Sequence, residues 1–172
     1  MKFFLTCLFI SFLSLSFSQE KDTTTLADSV KKTAQIPLPS NNKVDHMIDF
    51  AKKFLGTPYR YAGSTPAGFD CSGFIKYILN RYDIDITRTS ASMANYGTRV
   101  KLADVRKGDL LFFKGSRLSS TVVGHVGMVI ENKDGVIKFI HSMSGGVQIT
   151  TFNNNRYFVP RFIVAKRLDY NK

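Results

Sequence analysis

The stretch Gly68-Phe69-Asp70-Cys71-Ser72-Gly73-Phe74-Ile75-Lys76-Tyr77-Ile78-Leu79-Asn80-Arg81-Tyr82 decides the fold. Phe74, Ile75, Ile78, Leu79 and Tyr82 recur at helical spacing, which predicts a helix with one apolar face. Asp70 stands at the N-cap position, where a carboxylate accepts one of the orphan N–H groups of the first turn. The helix therefore opens on Cys71. Free N–H groups and the helix dipole favour a thiolate there, so the spacing predicts a thiol pKa below the ordinary value. The same N–H groups can receive a developing oxyanion.

Upstream, Val44, Met47, Ile48, Ala51, Phe54 and Leu55 give a second amphipathic pattern, predicting a helix from about Lys43 to Leu55 with Gly56 as its C-terminal cap. Gly56, Pro58, Gly63, Pro66 and Gly68 mark the connection as a loop. Ser90 to Gly97 reads as a further helical turn.

Downstream of Gly97 the period changes. Leu110–Phe113, Val126–Ile130, Val136–Ile140, Val147–Thr151 and Phe162–Ala165 are short, β-branched or aromatic, and bounded by turn signals. Asn132-Lys133-Asp134-Gly135 predicts a hairpin turn. Helices followed by consecutive strands predict an α+β domain with a largely antiparallel sheet of five to six strands.

The chain has three histidines. His46 lies on the first helix and reads as a surface or boundary residue. His125 opens one arm of the predicted hairpin and His141 closes the other, so the two imidazoles should meet at one end of the sheet. Cys71, His125 and His141 have the residue types of a Cys-His-polar triad: a thiol, a base and a group that orients the base. They are also good zinc ligands, although the close-spaced ligand pairs of structural zinc sites are missing. A cysteine at the head of an apolar stripe can equally be packing.

The N-terminus reads as a targeting segment. Lys2 is followed by an apolar run from Phe3 to Phe17, too short for a comfortable span, and Ser16-Phe17-Ser18 offers a small-x-small cleavage site. Residues 1–18 are therefore expected to be a signal peptide, with an uncleaved anchor, or a lipid anchor at Cys7, as alternatives. Residues 19–42 are polar, carry Pro37 and Pro39, and read as a flexible tether. Residues 43–172 are expected to form the domain. At 172 residues and 44% hydrophobic content the chain supports one domain with a substantial core. Export would leave Cys71 as the sole cysteine, unable to form an internal disulfide.

Net charge is +11; without Lys2, 23 basic against 13 acidic residues leave +10. Such a balance attracts anionic envelope surfaces. Zinc-finger spacing, aromatic-rich binding motifs and long basic helices are missing, so nucleic acid is not an expected partner.

Five segments together resemble the NlpC-type family of cell-wall cysteine peptidases, a compact branch of the papain-like fold. They are Leu55–Gly63, Phe69–Phe74, Arg106–Phe113, Gly124–Val129 and Phe139–Ser142, in family order, within a resemblance that runs from about Asp45 to Arg167. The resemblance implies that Cys71 is the nucleophile, His125 the general base and His141 its orienting partner. It implies that the Tyr59 hydroxyl helps bind the oxyanion, and that Asp70, Ser72 and Ser90 contact the D-glutamyl part of a peptidoglycan stem peptide. Capping of the short helix is the structural alternative for Ser90, as capping and loop packing are for Asp70 and Tyr59. The expected bond is γ-D-glutamyl–diaminopimelate. Cleavage of the cross-link between stems, a non-catalytic wall-binding module and a toxin with the same chemistry are the other readings.

Relatives that demand a free N-terminal amine resemble one another in an acidic residue where Thr89 stands, and they tend to carry SH3-like domains upstream. Both departures point to an endopeptidase acting on intact wall. Thr87 replaces a common proline, and Ala91-Ser92-Met93 stands where many relatives have glutamine. The resemblance implies no metal and no organic cofactor. A monomer without an obligatory protein partner is expected, located in the periplasm or outside the cell.

Overall fold

The computed structural model describes residues 40–171, with side chains from Lys43 onward. The expected signal peptide and nearly all of the expected tether lie outside the described residues. α1 spans Ser40–Lys52. It begins three residues before Lys43 because Ser40, Asn41 and Asn42 are polar and contribute nothing to the apolar period. Met47, Ile48 and Ala51 form its buried face. It also stops before Leu55. The chain from Lys53 to Leu55 winds on through i→i+3 bonds to Phe50, Ala51 and Lys52. Gly56, at φ +82°, then turns it away, a conformation that costs a glycine nothing.

A small antiparallel pair, β1 (Ser64–Thr65) and β2 (Gly68–Phe69), precedes α2 (Cys71–Asn80). Phe74, Ile75, Ile78 and Leu79 of α2 are fully buried, each such side chain stabilising by roughly 1.5–3 kcal/mol. Asp83, at φ +60°, helps stop the chain from continuing as helix. α3 is one short turn, Ser90–Met93.

The remaining strands are β3 (Thr98–Val100), β4 (Leu110–Lys114), β5 (Val123–Lys133), β6 (Val136–Met143), β7 (Gly146–Thr151) and β8 (Phe162–Arg167). They form one antiparallel sheet in the order β3-β8-β4-β5-β6-β7. The domain is therefore α+β, with six strands in the main sheet. Asp134 and Gly135, at φ +53° and +78°, make the expected β5–β6 turn with two left-handed residues. β5 and β6 both run longer than their apolar cores suggest, so His125 and His141 lie inside strands rather than at their ends.

Both faces of the sheet are buried. One carries Leu110, Phe112, Val126, Met128, Ile130 and Ile140 against α1 and α2. The other carries Leu111, Phe113, Val129, Ile137 and Phe139, covered by Phe152 and Phe158 from the segment before β8. Alternation along β5 puts Val126 toward the helices and His125 toward the aromatic face.

Candidate active site

Cys71 is the first residue of α2, held by the turn that precedes it. Asp70 is extended, at φ −86° and ψ 175°, and its carboxylate accepts the Gly73 N–H at 2.6 Å. Ser142 of β6, fully buried, donates to the Phe69 carbonyl at 2.8 Å. The nucleophile segment is thus pinned to its own helix and to the sheet.

The thiol does not follow the expectation of a depressed pKa. Burial pushes it up, and the neighbouring Asp70 carboxylate adds to that push. N–H groups of Val126, Ser72 and Cys71 itself pull the other way and do not compensate. The spacing revealed the helix terminus but not the depth at which the sulfur sits. Cys71 packs against the core cluster that holds Val126, the residue after His125 on β5.

His125 faces Phe113, its partner across β4, and Phe158. Its Nε2 lies 3.1 Å from Nδ1 of His141, with the rings nearly perpendicular. His141 is fully buried, stacks on Phe139 and meets the edge of Phe158. Its Nε2 lies 2.9 Å from the hydroxyl of Thr150 on β7. Burial pushes His125 down to about 4. Burial, reinforced by His125, pushes His141 down to about 3. Both rings are therefore neutral at neutral pH. Gly127 makes room for this pair: a Cβ there would lie 2.6 Å from the Phe139 ring and 3.1 Å from the His141 Cβ.

Tyr59 forms an isolated parallel bridge with Phe69, two residues before Cys71. Its hydroxyl pKa is raised by burial and by the negative charges of Cys71 and Asp70, so it stays a donor. Asp70 and Ser72 form one cluster with Arg88, which sequence reasoning did not select. Arg88 donates to both Asp70 oxygens, at 3.0 and 2.6 Å, and to the Ser72 hydroxyl at 2.9 Å. Ser72 in turn donates to Asp70 at 3.1 Å. Burial alone would raise the Asp70 pKa, but the Arg88 bonds and charge together with the Gly73 and Ser72 bonds hold it below the ordinary range. Ser90 is a buried residue of α3, and the helix-capping role falls instead to Thr89, which accepts the Ser92 N–H at 3.2 Å. Thr150 was also missed. Its relation to His141 depends on the β6–β7 register, in which Phe139 pairs with Thr150 and His141 with Gln148. His46 is exposed on α1, as expected. Among the described residues, no group of three His, Cys, Asp or Glu side chains is placed to hold a metal ion.

The chain is similar to known proteins. Over 125 residues the chain is 41% identical to the probable peptidoglycan endopeptidase LytE of Bacillus subtilis, covering 72% of this chain and 34% of that protein. It is 37% identical to the gamma-DL-glutamyl hydrolase of the same organism, covering 71% of this chain and 29% of that one. The chain thus spans about a third of the length of these two relatives. The crystal structure of an NlpC/P60 family protein from Bacillus cereus superposes with a TM-score of 0.64 at 36% identity, over 72% of this chain and 39% of that one. The family model of NlpC/P60 matches residues 56–167, which contain Tyr59, the α2 N-terminus, both histidines and Thr150. The chain belongs to the NlpC/P60 family.

Proposed function

We propose that this protein is an exported cysteine endopeptidase that hydrolyses amide bonds in peptidoglycan stem peptides. The observation that carries the reading is the neutral His125–His141 pair across β5 and β6, with Cys71 at the N-terminus of the helix packed on the Val126 face of the same sheet. Membership of the family and the names of LytE and the gamma-DL-glutamyl hydrolase support the wall peptide as substrate. The gamma-glutamyl bond in the second relative's name supports a γ-glutamyl link within the stem, read here as γ-D-glutamyl–diaminopimelate, over the cross-link between stems.

The mechanism starts from a neutral thiol and a neutral imidazole. Nε2 of His125 is engaged by His141, which leaves Nδ1 for the sulfur. As the sulfur attacks the amide carbon, His125 takes the thiol proton, so no free thiolate need accumulate. The oxyanion is held by the Cys71 N–H and the Tyr59 hydroxyl. His125 passes its proton to the leaving amine, the C–N bond breaks and a thioester remains. Water, giving a proton to His125, then attacks the thioester and releases the acid and the thiol. The D-glutamyl carboxylate pairs with the Arg88 guanidinium, whose geometry is fixed by Asp70 and Ser72, and Ser90 completes that subsite. The expected signal peptide at residues 1–18, the expected tether to residue 42 and the positive charge support a mature domain at the wall, read here as a monomer.

Incubation of the mature chain with purified peptidoglycan, followed by mass spectrometry, tests this. The expected products are fragments cut inside stems, and Cys71→Ala should abolish their release. A Cys71→Ala protein that still cuts wall overturns the scheme. Intact wall with the wild type, its thiol shown reduced, favours a wall-binding module.

A further inference from the structure

His125, His141 and Thr150 lie on three neighbouring strands, β5, β6 and β7, on one face of the sheet. Two contacts link them in a row, Nε2 to Nδ1 at 3.1 Å and Nε2 to hydroxyl at 2.9 Å. We infer that Thr150 is a positioning residue that fixes the tautomer of His141 and, through it, keeps Nδ1 of His125 free to accept a proton. This rests on the peptidase reading and deepens it.

A neutral imidazole has one N–H and one lone pair. For His125 to take a proton at Nδ1, its N–H must be on Nε2. That N–H then points at Nδ1 of His141, which must offer a lone pair. The proton of His141 is thereby forced onto its own Nε2. His141 is fully buried, among Phe139 and Phe158, so an N–H there without an acceptor is costly. The Thr150 hydroxyl is the acceptor. Thr150 is only part-buried, so its own proton can go to water.

The opposite tautomer chain uses the same three groups. With Thr150 donating, His141 would carry its proton on Nδ1 and His125 on its own Nδ1. That state cannot deprotonate the thiol. Removing the hydroxyl strips the productive chain of its last acceptor and leaves the unproductive one with a bare lone pair, a smaller loss than an orphaned N–H. The balance therefore moves toward the unproductive state. Charge developing on His125 during attack is also stabilised through the row, because a ring that donates to Thr150 is the better acceptor at Nδ1.

Thr150→Val keeps the shape and removes the oxygen; Thr150→Ser restores it. In the full mature chain, the rate of fragment release at saturating peptidoglycan should fall on the order of tenfold to a hundredfold with valine and recover with serine. The wall concentration giving half-maximal rate should stay unchanged. Two-bond nitrogen–proton NMR of the histidine rings should show the His141 proton on Nε2 in the wild type, moving toward Nδ1 in Thr150→Val. A purely structural threonine would lower thermal stability without moving the tautomer. A wild-type His141 protonated on Nδ1, or a Thr150→Val protein with unchanged maximal rate, overturns the inference. Inactivity of the wild type sinks the peptidase reading instead, and the nitrogen spectrum still decides the tautomer.

Discussion

The main sheet holds two polar centres that answer burial in opposite ways. Asp109, on the turn before β4, is 1% exposed and fully committed. Its carboxylate accepts from Arg167 Nε and Nη2 and from the Arg106 N–H, each at 2.8 Å. Arg167 spends its remaining reach on the Asp104 carbonyl at 2.9 Å, and Tyr170 closes the corner by donating to the Gly108 carbonyl at 2.5 Å. Here charge is kept and every partner is matched. The His125–His141–Thr150 row is centred on the fully buried His141, but its rings are held neutral, and the one ring contact made by His125 uses its Nε2. A saturated centre can only hold structure together. An unsaturated neutral one can accept a proton when a reaction offers it.

The largest stability loss expected from a single substitution separates these roles. Asp109→Ala leaves the Arg167 guanidinium unpaired and should cost about 3 kcal/mol in urea denaturation. Fragment release per folded molecule should not change. Loss of activity in fully folded Asp109→Ala protein would break the contrast, because the saturated centre would then serve the reaction as well.

Ser142 tests the join between sheet and nucleophile. Ser142→Ala leaves the buried Phe69 carbonyl without its donor and should cost about 1–2 kcal/mol in stability. Unlike Asp109→Ala, it should also slow fragment release, since Phe69 lies two residues before Cys71. An unchanged rate would show that α2 and Asp70 alone place the sulfur.

The pH dependence of stability is the most diagnostic of neutrality. Unfolded histidines take up protons near pH 6.5, whereas His125 and His141 do so only near 4 and 3. Between these values the unfolded chain binds more protons, so stability must fall as the pH falls through that window. Asp70 adds nothing above the ordinary carboxylate range, because its own shift is downward. Urea midpoints should therefore decline from pH 6.5 toward 4, and less steeply in His141→Gln. A flat profile would mean that the two rings are not held neutral.

Much of this was legible in the sequence. The α2 stripe and its Asp70 cap, the hairpin at the Asp134-Gly135 turn, and the meeting of His125 with His141 all follow from local pattern. β1, β2 and β3 escaped notice because strands of two or three residues give no measurable alternation, and β1 and most of β3 are exposed. Arg88 and Thr150 were not singled out because their partners lie across the fold. The thiol was misjudged for a related reason: a sequence shows that a helix begins at Cys71 but not what covers it.

Gly127 gives this architecture a genetic consequence. It has no functional group, touches no substrate in the scheme above and sits in the middle of a strand. Yet a single added methyl would press on the Phe139 ring and the His141 Cβ and tilt the second imidazole off the first. In a mutational scan it should behave as an essential position, indistinguishable by activity from His125. Part of the machinery of this domain is an atom that is not there, and a survey of reactive side chains alone would pass over it.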